Sequence, residues 1–156
     1  MQRITPCLWF DTQAEEAANF YVSLFEDAKV TRVDHIDGTP SGDNVALVWF
    51  TLAGLEYTAI NGGPQFPFTE AVSFNVSCKD QDEVDRLWST LTADGGEESQ
   101  CGWLKDRFGM SWQIIPERMG ELLSDPDPER RQRAMQAMLQ MQKIDLKVME
   151  DAANGA

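Results

Sequence analysis

The sequence predicts an α+β fold built from two tandem βαβββ modules that form a cupped mixed sheet, followed by C-terminal helices. Residues 4–25 (ITPCLWFDTQAEEAANFYVSLF) have the pattern of a strand, a turn and an amphipathic helix. Residues 71–92 repeat this pattern roughly 67 positions later, and strand-like segments follow each copy. Because a sheet with a single helix cannot bury both of its faces, the two modules are expected to pair side by side.

The first module begins with a short apolar and aromatic strand at residues 4–10. Thr12 and Glu15 have the spacing of a capping box, so a helix is expected to start there. Three further strands are predicted at residues 29–37, 45–53 and 55–61. The Gly- and Pro-rich residues 61–68 connect this module to the next.

The second module follows the same order. Its strand at residues 71–78 precedes a cap formed by Asp80 and Glu83, and a helix is expected to follow. The remaining strands are predicted at residues 93–100, 101–105 and 110–116, and the first of them has the weakest pattern. Lys105, Asp106 and Arg107 are interpreted as ordinary residues of the hairpin turn that ends at Gly109, and contact with a ligand at the mouth of the sheet is the alternative.

The C-terminal residues depart from this plan. Residues 117–124 predict a short helix, and the pair Asp127 and Pro128 predicts the start of a second one. An apolar stripe is expected along that second helix at Ala134, Ala137, Met138, Met141, Ile144 and Val148. This stripe packs either on its own chain or on a second subunit. We therefore expect one domain over residues 1–116, with modules 1–64 and 69–116, and a helical extension over 117–156.

The formal net charge of −13 excludes some partners. Nucleic acids and anionic membranes bind clustered Lys and Arg, so neither is expected to bind this chain. The sequence contains neither an apolar run of membrane-spanning length nor an N-terminal signal pattern, which indicates a cytoplasmic location. The three cysteines, Cys7, Cys78 and Cys101, are odd in number and lack CxxC spacing, so reduced thiols are expected.

The duplicated module resembles the vicinal oxygen chelate superfamily, which contains glyoxalase I, the bleomycin resistance proteins and the extradiol dioxygenases. The chain is most similar to the PhnB-like family, whose members are often labelled demethylubiquinone methyltransferase domains. The segments that carry this resemblance are residues 4–25, 59–64 (AINGGP), 103–116 (WLKDRFGMSWQIIP) and 137–146 (AMLQMQKIDL). The resemblance implies that each sheet curls into a cup and that ligands bind its concave face.

Alternation along the strands then selects the residues that face the cup. The candidate ligand-binding residues are Thr5, Cys7, Trp9, Trp49, Tyr57, Asn61, Ser73, Asn75 and Gln113. Trp9 and Trp49 are hypothesised to line an aromatic pocket, which would suit a neutral, flat organic ligand. No catalytic residue is assigned, and Cys7 is expected to be a buried, inert thiol.

Metal-dependent members of the superfamily place His or Glu at four inward positions. The resemblance maps these positions to Thr5, Tyr57 (or Ala59), Ser73 and Gln113, and none of these residues is a good ligand for a transition metal. The single histidine, His35, is expected on the surface of an edge strand. We therefore expect neither a metal site nor a cofactor. A glycine-rich strand-to-helix turn that would bind a nucleoside cofactor is also absent from the sequence.

Three functional hypotheses follow. The first is a metal-independent small-molecule binding protein, a homodimer with its ligand pocket on the concave sheet face. The alternative is an enzyme of the same superfamily: a lyase, a dioxygenase or, by the family label alone, a demethylubiquinone methyltransferase. A second alternative is a dimeric protein-interaction module that uses the Met-rich C-terminal helix.

Overall fold

The computed structural model describes residues 2–156 and divides into two compact units, the first ending at Phe68 and the second spanning Thr69–Ala156. Within the described residues, each unit has its own four-stranded mixed sheet, and five α-helices are present. The predicted α+β layout of two modules followed by C-terminal helices is therefore confirmed. The grouping of residues 1–116 into a single domain stays a prediction.

The first unit has the predicted βαβββ order. Its elements are β1 (Cys7–Phe10), α1 (Ala14–Val22), β2 (Ala28–Ile36), β3 (Val45–Leu52) and β4 (Leu55–Asn61). The strands lie in the order β1-β4-β3-β2, in which β1 is parallel to β4 and the other neighbours are antiparallel.

The second unit repeats this topology. Its sheet and first helix comprise β5 (Ser73–Cys78), α2 (Gln81–Thr92), β6 (Glu97–Glu98), β7 (Trp103–Lys105) and β8 (Ser111–Pro116). The strand order is β5-β8-β7-β6, with β5 parallel to β8. The weak pattern at residues 93–100 yields only the two-residue strand β6 after a short 3-10 turn at Ala93–Gly95.

One face of each sheet is buried by the helix of its unit. In the first unit this face carries Leu8, Phe10, Val48, Phe50 and Ala59, all of which are buried. In the second unit it carries Leu104, Trp112 and Ile114. We call the opposite face of each sheet its open face, because it points away from α1 or α2.

The two sheet-packed helices start differently. The predicted cap of α2 is confirmed, since the Asp80 side chain accepts from the Glu83 amide at 2.9 Å and Glu83 accepts from the Lys79 amide at 2.9 Å. The predicted capping box of α1 is wrong. Asn61 Oδ1, at the end of β4, instead accepts from the Ala14 amide at 2.7 Å.

The C-terminal residues form α3 (Glu117–Leu123), α4 (Pro128–Met138) and α5 (Leu146–Asn154). Asp127 caps α4 and Pro128 occupies its first turn, as predicted. The single long apolar helix predicted after Pro128 is wrong, because α4 ends at Met138 and Asp145 caps a separate α5 through the Val148 amide at 3.1 Å. Among residues 2–156, no helix is long and apolar enough to cross a membrane.

The C-terminal helices pack within their own chain. Their shared core consists of Leu122, Ala134, Ile144, Met149 and Ala153. Gln81, at the start of α2, contacts this region twice: its Nε2 donates to the Ile144 carbonyl at 2.9 Å, and its Oε1 accepts from the Leu146 amide at 2.9 Å. Lys143 also forms an ion pair with Asp85 of α2 at 2.6 Å. The extension is thus anchored on α2 within the second unit.

Candidate functional site

The open face of the second sheet carries two rows of polar side chains. Pairing of β6, β7, β8 and β5 aligns Glu97, Lys105, Ser111 and Ser73 in one row. The adjacent row contains Trp103, Gln113 and Asn75. The structure places Ser73, Asn75 and Gln113 on this face, as the alternation predicts. Gln113 Nε2 donates to Ser73 Oγ at 2.9 Å, and the role of these three residues in ligand binding stays a prediction.

A groove of about 520 Å³ lies at the β6–β7 edge of this sheet. Its lining residues are Glu70, Glu97, Glu98, Ser99, Gln100, Cys101, Trp103, Leu104, Lys105 and Ser111. Cavities of roughly 300–1,000 Å³ hold small organic ligands in many proteins. None of these residues is among the candidate ligand-binding residues selected from the sequence.

Lys105 and Glu70 form an ion pair at the side of the groove, with Lys105 Nζ at 2.6 Å from Glu70 Oε1. This hydrogen bond raises the pKa of Lys105 above its ordinary value, and the opposite charge adds to the effect. The same bond lowers the pKa of the Glu70 carboxyl. Both groups are therefore charged at neutral pH, and the Lys105 charge is already compensated.

Ser111 is a buried polar residue of the groove. The residue is 1% exposed, and among residues 2–156 its hydroxyl oxygen has no hydrogen-bond partner. A buried hydroxyl without a partner costs about 1–3 kcal/mol relative to one that is satisfied. Lys105 is its direct cross-strand neighbour, and both residues line the groove.

The wall at residues 98–102 is held by the C-terminal extension. The Cys101 amide donates to the Met141 carbonyl at 2.8 Å, and the Gly102 amide donates to the Gln142 carbonyl at 2.7 Å. Gly102 has a φ of +86°, and a Cβ there would lie 2.8 Å from Ile115 Cδ1. The positive φ therefore favours glycine at this position.

Asp106 is a structural carboxylate next to the groove. It is 2% exposed and accepts from the Phe108 amide at 2.9 Å and the Met110 amide at 3.0 Å. Its second oxygen accepts from Trp112 Nε1 at 2.8 Å. The carboxylate thus shapes the β7–β8 turn and fixes a core tryptophan, a role that the interpretation as an ordinary hairpin residue missed.

The open face of the first sheet carries only part of the predicted set. Cys7 and Trp9 lie there on β1, and Trp49 lies there on β3. Thr5 precedes β1 and is exposed. The placement of Tyr57, Ala59 and Asn61 on this face was wrong.

Strand pairing gives the reason for this error. The buried Leu8 pairs with Ala59, which is fully buried beneath α1. Tyr57 stacks on the buried Phe50 with ring centroids 5.5 Å apart, and Asn61 caps α1. Glu56, Thr58 and Ile60 are the β4 residues of the open face, because the alternation of LEYTAIN is offset by one position from the expectation.

Trp9 and Trp49 share the open face but contact different groups of the protein. Trp9 Nε1 donates to the Gly63 carbonyl at 2.9 Å, and its ring meets Phe66 edge-on at 5.1 Å. A Cβ at Gly62 would lie 2.1 Å from the Trp9 ring, so glycine is required there. The Arg32 guanidinium lies 4.6 Å from the centroid of Trp49. The aromatic pocket hypothesised from these two residues stays a prediction.

The cysteines differ in exposure. Cys7 is exposed, so the expectation of a buried Cys7 thiol was wrong. Its position on β1 places it on the open face, whereas the adjacent Leu8 fills the core. Cys78 is the buried thiol, and burial raises its pKa to about 12.

The residues do not fit a divalent-metal site. Throughout the described chain, no group of three or more His, Cys, Asp or Glu side chains is placed to hold a metal ion. Of the four mapped positions, Ser73 and Gln113 are bonded to each other, and Tyr57 and Ala59 face α1. His35 is exposed on β2, as expected. No chemical step is therefore derived through a metal.

Comparison with known proteins adds family information. Residues 2–115 match the family model of 3-demethylubiquinone-9 3-methyltransferase. A similar solved structure is the PhnB protein from Bacillus cereus, with 33% identity and a TM-score of 0.67 over 74% of this chain and 99% of that chain. A protein from Pseudomonas aeruginosa shows 21% identity and a TM-score of 0.57 over 75% of this chain and 98% of its own. A search of curated proteins finds no match.

Proposed function

The chain belongs to the PhnB-like 3-demethylubiquinone-9 3-methyltransferase family of the vicinal oxygen chelate superfamily, and from this premise we propose that it is a metal-independent small-molecule binding protein. Its ligand is a small organic molecule held in the groove of the second unit. Ser73, Asn75 and Gln113 extend this site along the open face of the second sheet. The candidate residues of the first unit, Thr5, Cys7, Trp9 and Trp49, form the competing site, which the test below distinguishes from the groove.

The groove itself is the observation that carries this proposal. It combines an adequate volume, the half-buried indole of Trp103, an ion pair and the buried hydroxyl of Ser111. Binding sites commonly combine one apolar or aromatic surface with a few fixed polar groups that orient the ligand. Trp103 supplies the aromatic surface here, and Lys105 and Ser111 supply the polar groups.

Two further parts of the proposal concern assembly and location. The protein is proposed to act as a homodimer in the cytoplasm. Exposed apolar residues on the C-terminal extension, namely Met135, Leu139 and Val148, support association between copies. The three free cysteines support a reducing compartment.

The test compares two tryptophan variants in a ligand screen. Aromatic and heteroaromatic compounds are screened by thermal shift, and the affinities of hits are measured for the unmodified chain and for Trp103→Ala and Trp49→Ala. We expect Trp103→Ala to weaken binding about tenfold, because a stacked aromatic contact contributes about 0.5–1.5 kcal/mol beyond its buried area. Trp49→Ala is the matched control and should leave the affinity unchanged. Hits that lose affinity only in Trp49→Ala would contradict the groove assignment.

The same hits distinguish binding from catalysis. Each hit is incubated with the protein, alone and with S-adenosylmethionine, and products are sought by mass spectrometry. The proposal predicts that each compound is recovered unchanged. Methylated product would replace the binding proposal with the activity in the family name, and turnover abolished by a chelator would replace it with metal-dependent chemistry.

A further inference from the structure

We infer that the groove selects a positively charged ligand, an arylalkyl amine or a protonated heteroaromatic base, over neutral and acidic molecules of the same shape. This inference rests on the proposed function, because it names the ligand class of the same groove. Three features carry it: the charge of the lining, the position of Trp103 and the buried hydroxyl of Ser111.

The groove lining has an excess of carboxylates. Within the part of the chain that the structure describes, its acidic and basic side chains are Glu70, Glu97, Glu98 and Lys105. Lys105 is bonded to Glu70, and Glu98 Oε1 accepts from Trp88 Nε1 at 2.7 Å. Glu97 lies across from Lys105 and is exposed. The Glu97 carboxylate is therefore accessible to a cation that enters the groove.

Trp103 adds a surface that favours cations. It lies two residues before Lys105 on the same strand, so its indole is on the open face beside Glu97 and Lys105. The face of an indole attracts an ammonium or a protonated heterocycle through its quadrupole. The ring of an arylalkyl amine would therefore stack on Trp103 while its ammonium approaches Glu97.

Ser111 provides an independent indication of a ligand. Its buried hydroxyl has no partner among the described residues, and it lines the same groove. A hydroxyl oxygen accepts a hydrogen bond from an ammonium, which would satisfy the group. A carboxylate ligand would instead compete with Glu70 for the single ammonium and approach Glu97 with a like charge. The net charge of −13 on the chain also favours the approach of a cation over that of an anion.

The experiment uses three probes of one shape: 2-(aminomethyl)naphthalene, 2-(hydroxymethyl)naphthalene and 2-naphthoate. Dissociation constants are measured at pH 7 and low ionic strength for the full chain and for Glu97→Gln. We expect the amine to bind about tenfold more tightly than the alcohol, and the alcohol more tightly than the carboxylate. Glu97→Gln should reduce the advantage of the amine about threefold to fivefold and leave alcohol binding unchanged, because only the charge contact is lost. Glu26→Gln, an exposed carboxylate of the first unit, is the matched control and should change none of the constants.

The outcomes separate this inference from the proposed function. Equal affinities of amine and alcohol, or an equal loss for all three probes in Glu97→Gln, would overturn cation selectivity and leave the groove as the binding site. Added salt should weaken only the amine if the inference is correct. Failure of all three probes to bind at millimolar concentration would count against the groove itself and overturn both proposals.

Discussion

At the scale of single residues, the most consequential side chain is Asp106. Its two carboxylate oxygens accept three hydrogen bonds, from the Phe108 and Met110 amides and from the Trp112 indole. A sequence pattern identifies Asp as a turn residue. It does not show that the buried indole of Trp112 donates to the same carboxylate as the turn amides. Burial and this shared contact could be identified only once the hairpin register was known.

Replacing Asp106 with Ala is expected to destabilise the second unit. The substitution leaves two amides and one indole N–H without their acceptor, so the free energy of unfolding should fall by about 3 kcal/mol. Denaturant unfolding followed by tryptophan fluorescence measures this change. Glu56→Ala, which removes an exposed carboxylate, should change the free energy of unfolding by less than about 0.5 kcal/mol. A loss of that same small size for Asp106→Ala would show that the carboxylate is not a structural acceptor.

At the scale of elements, the start of α1 shows how a local pattern can mislead. Thr12 and Glu15 have capping-box spacing, yet the Ala14 amide is bonded to Asn61 of β4. The helix and the last strand of the first sheet are thus joined by a contact between residues 47 positions apart in sequence. Local spacing does not reveal a cap supplied by such a distant residue.

Asn61→Ala and Thr12→Ala form a matched pair that tests this cap. Asn61→Ala should lower the free energy of unfolding by about 1 kcal/mol, which is typical for loss of a helix cap. Thr12→Ala should change it by less than about 0.5 kcal/mol, since Thr12 is exposed and precedes the helix. Unfolding in denaturant measures both values. A larger loss for Thr12→Ala than for Asn61→Ala would restore the capping box.

Docking of the C-terminal extension is tested at Gln81. Gln81→Ala removes both hydrogen bonds to the turn before α5, so local opening should become easier there. We expect the Cys101, Gly102 and Leu146 amides to exchange hydrogen about tenfold faster, because the loss of two hydrogen bonds should lower the free energy of local opening by about 1.4 kcal/mol. Gln136→Ala, on the exposed side of α4, should leave their exchange unchanged. Unchanged exchange in Gln81→Ala would mean that Gln81 does not hold the extension.

The position of some elements could be predicted from the sequence, whereas the face or the end of others could not. Hydrophobic period and turn residues located the strands and both sheet-packed helices, because those signals are local. The face of β4 was assigned wrongly, since its alternating residues fit either face until pairing with β1 and β3 fixes the register. The break between α4 and α5 was missed because the apolar stripe continues across the turn at 139–145. The groove was missed because Glu70, Trp103 and Ser111 come from separate segments.

At the scale of the whole molecule, the two units share one topology but differ in what surrounds their sheets. The second unit alone carries the C-terminal helices, and the family model ends at residue 115, before those helices begin. The extension supplies carbonyls that hold the groove wall at Cys101 and Gly102. The C-terminal extension therefore supports the candidate site of the second unit.

The most direct measurement is chemical-shift mapping of the full chain with the tightest-binding naphthalene probe. The five tryptophan indole N–H signals serve as reporters of each region. The groove assignment predicts the largest shift at Trp103, smaller shifts at the amides of residues 97–101 and Ser111, and none at Trp9 or Trp49. Shifts centred on Trp9 and Trp49, with Trp103 unmoved, would contradict it and place the ligand on the first sheet.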